Sequence, residues 1–350
     1  MKVLGVTVDY PRALLASLAV VLFVAVVVAA STSSAAFGVY NTAWDGAGQL
    51  QDVAEEGGAN ATVVLNTSAY GSAEPNQTVA VVLSPNEAYG RDAEALRQFV
   101  RNGGTLVVAE DFGPNGNALL ESVGATARFD GRIVRDEKNY ERAPALPVAD
   151  NVTDANTTGN LTDDVESVAL NYGTVVQPND ATVLVGTSEF AYLDANRNEQ
   201  IDDGEPLRSY PVATVESVGA GRVVAVSDPS LFINAMLDRE DNRQFTANLL
   251  DRETVLLDYS HADGQPPLTV AVLQVRGSPA LQGGVVALAI GLVFGGSRLF
   301  GRGESDSRRY TPDGDRVADY LARERGWDAE RVKRLTTGVW GRNPQEDDNE

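Results

Sequence analysis

The sequence predicts an α/β protein: a mainly parallel sheet flanked by helices, carried between two hydrophobic segments. Three observations predict it. Short runs rich in β-branched residues alternate with stretches of helical periodicity, the pattern of strand–helix–strand units. Uncharged apolar stretches lie at Ala13–Ala30 and Ser278–Phe300. There is no cysteine, so disulfides play no part in the fold.

The elements follow in order. Ala13–Ala30, ALLASLAVVLFVAVVVAA, has no charge and matches the roughly 17–25 residues of a spanning helix. It is longer than the apolar stretch of a signal peptide, so an uncleaved anchor is expected. FGVYN (37–41) reads as a first strand and Gly46–Glu56 as a helix. Ala61–Leu65 and Val79–Leu83 read as strands. Glu94–Asn102 places Leu96, Phe99 and Val100 on one helical face, and Gly103-Gly104 stops it. Thr105–Ala109 is a buried strand and Gly116–Val123 a short helix. The Pro-, Asn-, Asp- and Thr-rich segment 136–164 reads as a surface excursion. Further strands are expected at Val165–Tyr172, Ala181–Thr187, Val212–Val218, Arg222–Val226 and Thr254–Leu257, with LTVAVL (268–273) as the last. Ser230–Leu237 and Asn242–Asp251 should be helical. In Ser278–Phe300, Ser278 and Pro279 suit a helix start, and Gly291 and Gly295 are spaced for close helix packing.

Arg12 and Lys2 flank the first segment, and Arg298, Arg302, Arg308 and Arg309 follow the second. The positive-inside rule then puts both termini in the cytoplasm. The expected organisation is a cytoplasmic 1–12, spans at 13–30 and 278–300, an extracellular domain at 31–277, and a cytoplasmic tail at 301–350. Six N-x-S/T sequons, at Asn60, Asn66, Asn76, Asn151, Asn156 and Asn160, all fall in the expected external part. In the tail, Val317, Tyr320 and Leu321, then Val332, Leu335 and Val339, fall at helical spacing beside Trp327 and Trp340. That face suits either a docking partner or the membrane interface.

The net charge is −21, and the only lysines are Lys2, Lys138 and Lys333. No broad nucleic-acid surface is compatible with that balance. Such a chain repels itself in dilute buffer, and molar salt screens the repulsion. A salt-rich cell, a halophilic archaeon, is the expected source.

Cysteine nucleophiles and zinc–thiolate sites are excluded, and His261 is the only histidine. It reads as a solvated loop residue. Ligands of open α/β sheets bind beyond the carboxyl ends of the strands. The polar residues expected there are Asn41, Asp45, Ser84, Asn86, Glu110, Asp111, Ser227 and Asp228. They could line an acidic crevice for a cation, a sugar or an amine, or cap helices and make turns. The sharpest local motif runs from Asp194 to Glu205. Asp194, Asn196, Asn198, Gln200, Asp202 and Glu205 stand at the oxygen-donor positions of a calcium-binding EF-hand loop, with Ile201 at its apolar eighth place. Glu199 replaces the usual glycine where the backbone needs φ > 0. A structural, weak Ca2+ site in a strand–loop–strand setting is the expectation, against an ordinary acidic turn.

The order strand, helix, strand, strand, helix ending in FVRNGGTLVVAED, followed by GAGRVVAVSDPSLFINAMLDREDNRQFTANLL, resembles the archaeal family catalogued as domain of unknown function 4350. The late block is also similar to auxiliary subunits of gliding-type ABC transporters. The resemblance implies a class I glutamine amidotransferase-like, flavodoxin-like fold. Where true amidotransferases carry a cysteine after a strand, this chain reads Glu110-Asp111-Phe112-Gly113, so that activity is excluded. The resemblance further implies an accessory role in a membrane complex of the cell envelope, beside MoxR-type AAA ATPases and von Willebrand-like partners that the tail could contact. The alternatives are a carboxylate-based envelope hydrolase and a transporter sensor or auxiliary subunit.

Overall fold

In the computed structural model, residues 10–31, 33–262 and 264–277 are described, with isolated positions at 2–3, 6–7, 281–284, 287, 323 and 328. Apart from those isolated positions, the expected second span, Ser278–Phe300, and the tail helices lie outside the described residues. Met1–Gly277 forms one compact unit.

Its centre is an eight-stranded sheet. The strands are β1 Asn60–Val64, β2 Thr78–Leu83, β3 Thr105–Ala109, β4 Asn151–Val152, β5 Thr182–Gly186, β6 Pro211–Val218, β7 Gly221–Val226 and β8 Thr254–Asp258. The order across the sheet is β1-β8-β2-β3-β7-β6-β5-β4. The first five run parallel, and β6, β5 and β4 each pair antiparallel with the preceding neighbour. The helices of eight residues or more are α1 Tyr10–Ser31, α2 Gln49–Glu56, α3 Ala93–Arg101, α4 Asn115–Val123, α5 Asn242–Leu250 and α6 Pro267–Gly277.

Alternation along the strands sorts the core into two layers, because successive side chains point to opposite faces. Val79, Val81, Val107, Val224 and Leu257 pack with Leu50 and Val53 of α2 and Phe245 and Leu249 of α5. Ala80, Val82, Leu106, Val108 and Ala225 pack with Leu96, Phe99 and Val100 of α3 and Leu119, Leu120 and Val123 of α4. All six residues of β2 are buried, as a parallel strand covered on both faces must be. The turn after α3 is closed by Gly104, where a Cβ would stand 2.4 Å from the Phe99 ring.

Several expected elements differ. FGVYN is a set of turns, not a strand, held by hydrogen bonds from Phe37 N to Asp45 O and from Asn41 N to Gly38 O. LTVAVL is helical, within α6, which opens at Pro267, a residue suited to the first turn of a helix. Of Val165–Tyr172 only Val168–Ala169 is strand, and of Ser230–Leu237 only a short 3-10 turn, Pro229–Phe232, is helical. Segment 136–164 is no surface excursion: it supplies β4, and Ala145, Ala149 and Leu161 are buried. A ribbon of Ile133–Asp136 with Ala191–Asp194 stands beyond β5.

In α1 the described apolar side chains face outward, Leu14 70 % and Phe23 69 % exposed. The side chains of 10–13 and 16 are not among those described, and counted over the described residues no helix is long and apolar enough to cross a membrane. α1 packs along α6.

Candidate functional site

The connection from β3 leads to α4 on one face of the sheet, and that from β7 leads to α5 on the other. β3 and β7 are neighbours, so their carboxyl ends form the switch point at which such sheets bind ligands. Glu110 and Asp111 follow β3, and Ser227 and Asp228 follow β7. Four of the eight expected crevice residues are thus brought to one place, and Ser84, just beyond β2, joins them through its Oγ, 3.2 Å from Glu110 Oε1. Ser84 holds φ at 37°, a left-handed backbone in a non-glycine residue.

Glu110 is fully buried. Its Oε1 accepts from the backbone N–H groups of Asp111 and Gly113 at 3.1 and 3.2 Å, while Oε2 has no hydrogen-bond partner. The glycines that follow make room for it: a Cβ on Gly113 would fall 2.6 Å from Glu110 Oε2, and one on Gly116 2.6 Å from Glu110 Cβ. Burial raises the Glu110 pKa, and repulsion from Asp111 adds to the rise. Asp228 is also fully buried, and burial pushes its pKa up to about 7 against two opposing backbone hydrogen bonds. Those bonds come from Ser230 N to Oδ1 at 2.7 Å and Asn171 N to Oδ2 at 2.6 Å.

The switch point is filled by the chain itself. Thr174 N donates to Ser227 O at 3.0 Å, and a Cβ on Gly173 would stand 2.8 Å from Asp228 Cβ. Segment 170–174 therefore lies across the end of β7 where a ligand would enter. The remaining candidates do other work. Asn41 Nδ2 donates to Asp45 Oδ1 at 3.0 Å, and Asn41 Oδ1 accepts from Ala43 N at 2.9 Å, so this pair builds a turn. Asn86 donates its backbone N–H to His261 O at 2.9 Å.

Sequence reasoning missed a polar cluster at the end of β8. Asp258 accepts from Tyr70 Oη at 2.5 Å and from Ser260 Oγ at 2.6 Å. Ser260 Oγ lies 2.8 Å from His261 Nδ1. His261 is stacked on Tyr89 with ring centroids 3.9 Å apart, and its Nε2 is 3.6 Å from Asp92. With its side chain only 11 % exposed, His261 is not a solvated loop residue. Burial raises the pKa of both Tyr70 and Tyr89, and the Asp258 charge adds to it, so both hydroxyls stay protonated donors. The partners come from three separate segments, and the DYSHAD stretch alone gives no sign of them. Asn234, inside SDPSLFIN, was also missed. Its Nδ2 donates to Ala43 O at 2.6 Å and Asn41 O at 3.2 Å, and its Oδ1 accepts from Gln49 N at 2.9 Å. An asparagine set in so apolar a run was the available signal.

The loop from Asp194 to Glu205 follows the ribbon strand as expected. Glu199 takes φ 65°, the conformation its position demands. Asp194 accepts from Asn198 N and Glu199 N at 3.1 and 3.0 Å. Asn196 and Asn198 turn their amide nitrogens to Asp202 Oδ2 at 2.7 Å each, and Ala195 N and Asp202 N donate to the two Glu205 oxygens. Gln200 donates its backbone N–H to Asn198 Oδ1 at 2.9 Å. The buried Arg135 guanidinium stands 3.7 Å from Asp194 and 3.5 Å from Glu199. The loop thus already holds one positive charge, and among the described residues no set of three acidic or histidine side chains is grouped to hold a metal ion. All six sequon asparagines are exposed.

The sequence matches the family described as Domain of unknown function (DUF4350) over residues 39–250. The chain belongs to that family. The DUF4350 match spans the whole of the sheet except the final β8. No curated protein matches the chain. Among solved structures it is similar to the mmIFT52 N-terminal domain, at 16 % identity and a TM-score of 0.40, covering 52 % of this chain and 77 % of that one. It is similar to the cytoplasmic protein STM1381 from Salmonella typhimurium LT2 at 14 % identity and a TM-score of 0.31, covering 59 % and 86 %. It is also similar to the exo-beta-1,4-mannosidase Op5Man5 from Opitutaceae bacterium strain TAV5, at 16 % identity and a TM-score of 0.28, covering 49 % of this chain and only 24 % of the enzyme. None of these likenesses carries an argument about what this DUF4350 protein does.

Proposed function

We propose that this DUF4350 protein is a membrane-anchored, non-catalytic binding or assembly protein of the cell envelope, an accessory subunit of a larger membrane complex. The observation that carries the reading is α1: an uncharged stretch from Ala13 to Ala30 in one helix, with its described apolar side chains turned outward. Apolar side chains displayed on every side of a helix match lipid as a solvent better than water. The filled switch point supports the non-catalytic part of the reading, since the most favoured substrate position of an α/β sheet is closed by segment 170–174. In this reading both termini are cytoplasmic, Ser278–Phe300 is the second span, and the sheet domain is external, a class I glutamine amidotransferase-like fold without its cysteine. The six exposed sequon asparagines fit that side of the membrane, and the acidic charge fits a salt-rich cell.

For the 194–205 loop the reading is a weak structural Ca2+ site. Arg135 offsets one carboxylate, and the Asn196 and Asn198 amides must rotate to present oxygen. Both effects weaken binding, in keeping with a dissociation constant of about 10⁻⁴–10⁻³ M, the range of extracellular modules.

The experiment is extraction of native membranes with alkaline carbonate, then gentle detergent capture at high salt of the full chain and of a form ending after Phe300. Retention in the pellet, with a stoichiometric partner lost with the tail, supports the proposal. Release by carbonate removes the anchor. Recovery of the protein alone in both forms removes the assembly role.

A further inference from the structure

The turn that replaces the expected first strand presents one large aromatic side chain to solvent, and its construction is rigid. Thr42, Ala43 and Trp44 are exposed, Trp44 at 69 %. Exposed tryptophan on a loosely held loop would need no explanation. This one is clamped on both sides. Asn41 closes the turn from within through Ala43 N, Asp45 Oδ1 and Ala35 O. Asn234 grips it from outside through Ala43 O, while Ala235 N donates to Trp44 O at 3.0 Å. A Cβ on Gly46 would stand 2.0 Å from Asn41 O, so the turn tolerates no other packing there. The structure therefore spends two buried asparagines on holding the backbone under an indole that itself touches little.

Where the tip sits says what it meets. Ser33, two residues beyond the end of α1, donates its N–H to Tyr40 O at 3.1 Å. Tyr40 packs edge-on against Tyr259, the residue after β8, and its hydroxyl is near enough to Thr269, in the first turn of α6, for that side chain to offset part of the rise in its pKa caused by burial. The tip is thus tied to the end of one helix and the start of the other, and α1 and α6 pack together. From Tyr40 to Trp44 the chain reaches at most about 14 Å. The tip is uncharged in a chain of net charge −21: Asp45 is half-buried, with its carboxylate turned inward to Asn41. Tryptophan favours the membrane–water boundary because its ring is amphipathic, apolar over most of its area with one N–H donor.

We propose that Trp44 is an interfacial anchor, seated at the lipid–water boundary beside the two helices and fixing the domain's height and tilt over the membrane. This rests on the membrane-anchored reading above. The chain has three tryptophans, and Trp327 and Trp340 lie in the tail. The test uses the full chain carrying W327F and W340F, so that Trp44 is the sole indole. It is reconstituted at high salt into phosphatidylcholine vesicles, either plain or brominated near the headgroup end or near the tail end of the acyl chains. Expected are co-flotation with the vesicles, a blue-shifted emission, and about two-fold or stronger quenching by the shallow bromines with less by the deep ones. Co-flotation with a water-like, unquenched emission overturns the inference and leaves the anchoring standing. Failure to float overturns both.

Discussion

Replacing Asp228 by asparagine should change sign in its effect on stability between acid and neutral pH. Asp228 is fully buried, and burial pushes its pKa up to about 7 from an ordinary carboxylate value of 3.8. Below about pH 4 folded and unfolded chains both hold the proton, and the residue contributes no pH dependence. As pH rises from there to about 7, the unfolded chain releases its proton while the folded one keeps it, so stability falls. Above about pH 7 the loss is complete, and a shift of about three units corresponds to roughly 4 kcal/mol. Asparagine cannot ionise and escapes this loss. It does lose an acceptor: both carboxylate oxygens accept backbone N–H groups, from Ser230 and Asn171, and the amide nitrogen must face one of them. A buried donor left without an acceptor costs about 1–3 kcal/mol at any pH. Asp228→Asn should therefore be less stable than the parent by about 1–2 kcal/mol at pH 4 and more stable by about 1–3 kcal/mol at pH 8. The assay is thermal unfolding of the full chain in molar potassium chloride across that range, where 1 kcal/mol moves Tm by about 2–4 °C for a domain of this size. A Tm difference that keeps one sign and one size from pH 4 to pH 8 would refute the burial argument.

The other expectations concern packing and the loops. Gly116→Ala drives a methyl to 2.6 Å from Glu110 Cβ and should cost about 1–3 kcal/mol in denaturant unfolding. Asn234→Ala removes the clamp on residues 41–49 and should lower stability by about 2–3 kcal/mol. It should also open 33–48 to limited proteolysis; an unchanged cleavage pattern would show that the clamp holds nothing. Arg135→Ala leaves the buried Asp194 without its cation and should destabilise by about 3–5 kcal/mol. Millimolar calcium should restore part of that loss in a Tm measurement and should bind the variant more tightly than the parent by calorimetry. Equal calcium affinity in the two would mean that Arg135 does not compete for the site.

The sequence by itself determined the layers. Strands β2 and β3, the β6–β7 hairpin and helices α3, α4 and α5 stand within a residue or two of where apolar periodicity and helix-stopping glycines put them, because those signals arise from contacts a few residues apart. Strand-end positions likewise put Glu110, Asp111, Ser227 and Asp228 at the edge where the parallel strands finish. The EF-hand spacing even demanded the positive φ that Glu199 adopts. Tertiary structure alone decided the rest. FGVYN has the composition of a strand, yet it is a turn because Asn41 and Asn234 engage its backbone from positions nearly two hundred residues apart. LTVAVL is likewise strand-like in composition, yet it lies within helix α6. Segment 170–174 fills the crevice, and Arg135 reaches Asp194, through a ribbon whose pairing no local pattern announces. Ionisation followed the same division: a carboxylate's identity is written in the chain, but its desolvation depends on every segment folded over it, and only the assembled sheet could raise Asp228 and Glu110.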